Sequence, residues 1–277
     1  MAVGVSGKKN SIMNPSIEGR KVIITGAGDG IGRALALAFG SAGARVAGCS
    51  RNAPRLESLS REIEGGPHLF HPADLTRPED TQEFYKKTIS AFNGVDILIN
   101  NVGAILSQKT FLDLTDQDWQ DSFDINLMPA VRLSRLCIPQ LRRSSAPRII
   151  NISSVAAIRP SEVFPHYSAI KAGLSNLTVS LAQTLAPDKI IVNSVSPGPV
   201  WTRSWEQETA EEAKKVGKPL NQMKETIQTA AAETLLLKRM GVPDDVTGLV
   251  LFLASDAGRW ITATNFTVDG GLIKNPY

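Results

Sequence analysis

The sequence predicts an α/β fold: a single domain on a doubly wound parallel sheet of about seven strands, with helices on both faces. Two observations carry this prediction. Short apolar runs alternate with segments of helical period along the chain, the pattern of successive βαβ units. The first apolar run opens into a glycine-rich turn and then a helix. A length of 277 residues is ordinary for one such domain. Right-handed crossovers make the doubly wound topology the economical one.

Composition narrows the function classes. Hydrophobic residues make up 42% and charged residues 21%, a balance suited to a globular enzyme with a large core. Net charge is +3 with no basic stripe, which gives no support to nucleic-acid binding. No apolar stretch approaches the ~20 residues of a membrane span. Cys49 and Cys137 stand far apart in apolar-periodic segments and match no metal or redox spacing. Buried free thiols in a reducing, cytoplasmic setting are expected, and no metal. Residues 1–17 are polar and lack the apolar centre of a secretory signal. They are predicted to form a flexible arm ahead of one domain over 18–277.

The elements follow in order. KVIIT (21–25) reads as a buried strand and runs into TGAGDGIG (25–32), then a helix over 31–42. Gly26, Gly30 and Gly32 allow a tight turn and close backbone approach. With Ile31 they open a helix N-terminus, whose unpaired N–H groups suit a pyrophosphate. ARVAG (44–48) is the second strand and ends in Ser50 and Arg51, with no carboxylate there to hold a ribose 2′-hydroxyl. An arginine at that place pairs with a 2′-phosphate, so NADP(H) is favoured over NAD(H). Asp29 argues the other way, since it puts a negative charge in the glycine loop.

A helix over 53–64 and the strand HLFHP (68–72) lead to ADLT. Its Asp74 is read both as an acceptor for an adenine amino group and as a helix cap. After a helix over 78–92 and the strand DILIN (96–100), one long helix is predicted over 116–142, with Asn126 among apolar neighbours. Its amide needs a partner if buried. RIINIS (148–153) places Ser154 just past a strand's carboxyl end, where open parallel sheets bind ligands.

The helix over 166–186 carries Tyr167 and Lys171 four residues apart, hence on one face. An adjacent ammonium favours the phenolate and lowers the phenol pKa, which suits proton exchange with an alcohol or carbonyl. IIVNSVS (190–196) is the sixth strand. The amphipathic insertion 201–240 is read as a lid over the substrate. A helix over 243–255 and the strand FTVD (266–269) complete the sheet.

With these features in this order, the chain resembles the short-chain dehydrogenase/reductase family over about residues 18–272. The motifs are TGAGDGIG, the DL of ADLT, NNVG (100–103), Asn126, NISS, YSAIK, SPGPVWT (196–202) and VDGG (268–271). The resemblance implies a Rossmann-type fold and hydride exchange between a nicotinamide cofactor and a ketone or secondary alcohol. Tyr167 would be the general acid/base, and Lys171 would lower its pKa and hold the nicotinamide ribose. Ser154 would bond the substrate carbonyl, and Asn126 would anchor a water. Asp74, Leu75, Asn101 and Gly103 would border the adenosine side. Pro197, Gly198, Val200 and Thr202 would close over the nicotinamide. Three departures from the family pattern stand out: Val102, Ala263 in place of a common glycine, and VAAIRP after Ser154 without one.

Leu106, Val155, Phe164, Trp201 and Trp205 are the candidate pocket residues and suggest a carbonyl compound with a mainly apolar body. His166 is assigned to the pocket rim or to the start of its helix. A reductase of 3-oxoacyl thioesters and a catalytically silent nucleotide-binding scaffold are the alternatives. The family also implies a homo-oligomer, tetramer or dimer.

Overall fold

The computed structural model describes residues 17–274. Seven parallel strands form one sheet: β1 (Lys21–Thr25), β2 (Arg45–Ser50), β3 (Leu69–Pro72), β4 (Ile97–Asn100), β5 (Arg148–Ile152), β6 (Ile191–Pro197) and β7 (Asn265–Val268). Their order is β3-β2-β1-β4-β5-β6-β7. The order reverses between β1 and β4, and the crevice beyond their carboxyl ends is where such sheets take ligands. Around the sheet run α1 (Gly30–Ser41), α2 (Ala53–Glu62), α3 (Pro78–Phe92), α4 (Asp116–Asn126), α5 (Met128–Leu141), α6 (Pro165–Leu185), α7 (Arg203–Val216), α8 (Leu220–Thr234) and α9 (Asp244–Ala254).

Strand alternation divides the core into two layers. Val22, Ile24, Val46, Ile97, Ile99 and Ile150 face one cluster, which holds Leu35 and Phe39 of α1 and Val250 of α9. Ile23, Ala47, Leu98, Ile149 and Val192 face the other, with Phe84 of α3, Leu133 of α5 and Ala182 of α6. Both faces are apolar, which is why the strands read as continuous apolar runs.

Two expectations change. The helix predicted over 116–142 is two helices, parted at Leu127 (φ −124°, ψ −50°). Pro129 lies in the first turn of α5, a position that tolerates proline's missing N–H; a second proline, Pro139, lies inside the same helix near its carboxyl end. Ile17, assigned to the arm, is 1% exposed and packs in the first core layer; the rest of the arm lies outside the described residues. The insertion over 201–240 contains a helical hairpin, α7 and α8.

Cys49 and Cys137 are both buried. Burial pushes the Cys49 thiol up to about 12 and raises Cys137 as well, so neither is a reactive thiolate. Ala263 adopts φ +59°, a left-handed backbone that glycine takes without strain. The glycine common there in the family thus answers a conformational demand.

Candidate active site

The carboxyl ends of β1 and β4 are tied together before any functional side chain is placed. The Thr25 hydroxyl accepts from the N–H groups of Asn101 (2.8 Å) and Val102 (2.9 Å), while Asn101 Nδ2 donates to the Thr25 carbonyl (2.9 Å). Beneath them, buried Asn100 donates to Asn151 Oδ1 (2.8 Å), and Asn151 donates to Thr178 of α6 (2.9 Å). This amide chain locks β4, β5 and α6 in register. Residues 100 and 151 carried no sequence signal of that role beyond being asparagines at the ends of apolar strands.

Ser154 follows β5 and caps a short 3-10 turn, its hydroxyl accepting from Ala156 N (3.1 Å). Tyr167 stands in the first turn of α6, with the Phe164 ring edge-on to it (centroids 5.9 Å apart, 86°). Lys171, 2% exposed, lies one turn on. Its ammonium donates to the Ile152 carbonyl (2.9 Å) and sits 5.7 Å from the Tyr167 ring centroid. The spacing of the pair is as expected, but the direction of the phenol's shift is not. Tyr167 is raised above 10, chiefly by burial, with a hydrogen bond to Ser154 opposing it. Burial also pushes Lys171 down to about 8. Desolvation thus disfavours both charges, and at neutral pH Tyr167 keeps its proton.

Asn126 ends α4 and is 1% exposed. Its Oδ1 accepts from Ala104 N (2.9 Å), and its Nδ2 donates to the carbonyls of Ala104 (2.9 Å) and Ser122 (3.0 Å). The amide is a clamp on the loop after β4. A Cβ on Gly103 would come within 2.8 Å of both Asn126 Oδ1 and Lys171 Nζ. Gly103 is therefore the point on which the two side chains converge. Gly103→Ala is expected to destabilise the fold by about 1–3 kcal/mol, the usual range for overpacking, and to lower turnover in the protein that still folds. Urea denaturation and steady-state rates measured together check both effects.

The glycine loop is closely bounded. Gly26 and Gly30 have positive φ (+69° and +52°), and a Cβ on Gly32 would lie 2.2 Å from the Gly26 carbonyl oxygen. A Cβ on Gly30 would lie 3.3 Å from Thr202 Cγ2, so the segment after β6 rests on this loop. Gly198 binds back to β7 (N to Val268 O, 2.9 Å), and Val200 bridges to Gly241. At the end of β2, Ser50 is half-buried and Arg51 exposed. Asp74 Oδ1 accepts from both the N–H and the hydroxyl of Thr76 (3.0 and 2.8 Å). It caps its own turn, not α3, whose N-cap is Arg77.

Two aromatic assignments shift. Trp201 stacks on Trp205 (6.2 Å, 30°) but lines a 320 Å³ cleft with Asp29, Gly30, Arg33 and Thr202, beside the phosphate end. His166 lies at the start of α6, the second of its two expected places, and is fully buried rather than on the rim; its ring packs on Trp119 (6.1 Å), and Nε2 lies 3.4 Å from Ser107 Oγ. Burial lowers its pKa. Leu106 is exposed, and Val155 and Phe164 are half-buried. Gln108 Nε2 donates to Glu208 Oε2 (3.1 Å), which joins the loop after β4 to α7 across the mouth of the site.

A family model described as enoyl-(acyl carrier protein) reductase matches residues 26–273. An uncharacterized short-chain type dehydrogenase/reductase from Sinorhizobium fredii is 33% identical, covering 93% of this chain and 98% of its own. The chain belongs to the short-chain dehydrogenase/reductase family. As an oxidoreductase of this family it is also similar to a 3-oxoacyl-[acyl-carrier-protein] reductase from Thermotoga maritima, at 30% identity over 93% of this chain and 99% of the relative. The crystal structure of L-sorbose reductase from Gluconobacter frateurii, complexed with NADPH and L-sorbose, superposes with a TM-score of 0.88 at 30% identity, covering 95% of this chain and 100% of that one.

Proposed function

We propose that the protein reduces a ketone to a secondary alcohol with NADPH, reversibly, on a molecule whose body is mainly apolar. The observation that carries this reading is the grouping of Ser154, Tyr167 and Lys171 beyond the carboxyl end of β5, with a phenol that burial keeps protonated. A protonated phenol is an acid, and an acid serves the reductive direction.

The donor set fits a phosphorylated dinucleotide. The N-terminus of α1 suits a pyrophosphate, Ser50 and Arg51 suit a 2′-phosphate, and Thr202 closes on the glycine loop. The L-sorbose reductase structure, which contains NADPH, supports the same choice. When bound, the nicotinamide supplies the hydride. Ser154 orients the carbonyl oxygen by hydrogen bonding. Tyr167 passes its phenolic proton to that oxygen. Lys171, cationic below about 8, stabilises the phenolate left behind. Asn126 holds the Ala104 backbone that borders these groups.

A second reading, reduction of a polyhydroxy ketone, is favoured by the polar Gln108–Glu208 pair at the mouth and by the L-sorbose reductase match. The test is nucleotide oxidation with NADPH and NADH against three substrate sets: cyclic and aryl ketones, L-sorbose, and 3-oxoacyl thioesters free and carrier-linked. Turnover of the first set with NADPH is expected. Preference for L-sorbose moves the assignment to the second reading, and no turnover with any set overturns both.

A further inference from the structure

Asp29 is a carboxylate at a place meant for anions. It caps α1, its Oδ1 accepting from Gly30 N (2.8 Å), so its charge is fixed beside the glycine loop. Its other oxygen meets Arg55 Nη1 at 2.7 Å. Arg55 belongs to the first turn of α2, where its N–H is capped by Asn52 Oδ1 (3.0 Å). A cation in a helix's first turn opposes the helix dipole, so helix stability does not account for it. Its position does. A Cβ on Gly28 would lie 2.7 Å from Ser50 Oγ and 3.5 Å from Arg55 Cβ. Gly28, Ser50 and Arg55 thus share one spot at the end of β2, between the N-termini of α1 and α2. The neighbouring Arg33 is already engaged, by Glu62 (2.6 Å) and Ser58 (3.2 Å).

We infer that Arg55 is a specificity-determining residue, which cancels the charge of Asp29 and thereby lets the end of β2 accept a nucleotide bearing a 2′-phosphate. The inference rests on the NADPH reading above. A guanidinium carries five N–H donors in a planar fork. Asp29 takes the Nη1 edge, and the remaining donors are free to meet phosphate oxygens alongside Arg51. Sequence position concealed the pairing, because the two partners lie 26 positions apart.

The test is direct titration of the purified full-length protein with NADPH and NADH, followed by nucleotide fluorescence, for wild type, Arg55→Met, Asp29→Asn and the double variant. Circular dichroism reports folding. Wild type is expected to bind NADPH more tightly than NADH. Arg55→Met weakens NADPH by about tenfold or more, the scale of one charge-assisted contact, and NADH far less. Adding Asp29→Asn to Arg55→Met restores the part of the NADPH affinity that the uncancelled carboxylate removed, while the part carried by the remaining guanidinium donors stays lost. Wild type preferring NADH overturns the cofactor reading and this inference together. Wild type preferring NADPH, with Arg55→Met changing both nucleotides equally or neither, overturns the role of Arg55 and leaves the cofactor reading standing. A loss in Arg55→Met that Asp29→Asn does not relieve overturns the charge cancellation.

Discussion

Tyr167→Phe is expected to lower turnover by about 10²–10⁴-fold, the usual contribution of a positioned acid, while NADPH affinity stays at the wild-type value. The substitution removes one oxygen and keeps the ring against Phe164, whose centroid is 5.9 Å away. It also removes a partly buried hydroxyl whose pKa the surroundings hold above 10, so no packing defect or stray charge confuses the result. Steady-state rates and nucleotide titration on the same preparation separate chemistry from binding. Near-wild-type turnover in this variant sinks the assignment of Tyr167 as the proton donor. A matched fall in NADPH affinity identifies the hydroxyl as a binding group instead.

The strands and the candidate site residues were legible in the sequence for one physical reason. A parallel strand covered on both faces must be apolar throughout, so KVIIT and RIINIS could be little else, and the residues just beyond such strands face the ligand crevice. What stayed hidden depended on contacts between distant segments. The break at Leu127 was signalled only by Pro129, in a stretch whose apolar period runs on without interruption. The Asn100–Asn151–Thr178 chain joins three elements, and each asparagine read alone is an ordinary strand end. The Asp29–Arg55 pair changes the meaning of Asp29, from an argument against a 2′-phosphate to half of a neutral unit. The direction of the Tyr167 shift was missed because spacing reports which groups are neighbours, whereas desolvation depends on everything around them.

Lys171→Met is expected to make the protein inactive and more stable at the same time. Lys171 is 2% exposed and pushed down from 10.5 to about 8 by burial. The unfolded chain therefore binds a proton that the folded chain lacks between those two values, so stability rises with pH across that window. The stability is complete above 10.5 and is lost as pH falls through about 8. At pH 7 the charged form is held in the fold at a cost of about 3 kcal/mol, at ~1.4 kcal/mol per pKa unit. Methionine fills much of the same volume without a charge. It forfeits the bond to the Ile152 carbonyl, worth about 1.5–3 kcal/mol for a charged donor, which leaves a gain of up to about 1.5 kcal/mol. Tyr167, raised above 10, works the other way: the unfolded phenol ionises first, so its contribution falls as pH rises past 10. The comparison belongs below that point, in urea denaturation at pH 7 and pH 9.5. The stabilisation by Lys171→Met should be largest at pH 7 and shrink at pH 9.5, while turnover, which needs the cation beside the forming phenolate, is compared at pH 7, where wild-type Lys171 is charged, and is lost in the variant. A variant less stable than wild type at pH 7 means that Lys171 pays for its own burial through contacts beyond the single bond to Ile152. In that event the ammonium would be a structural element of the β5–α6 junction, with no stability sacrificed to the site.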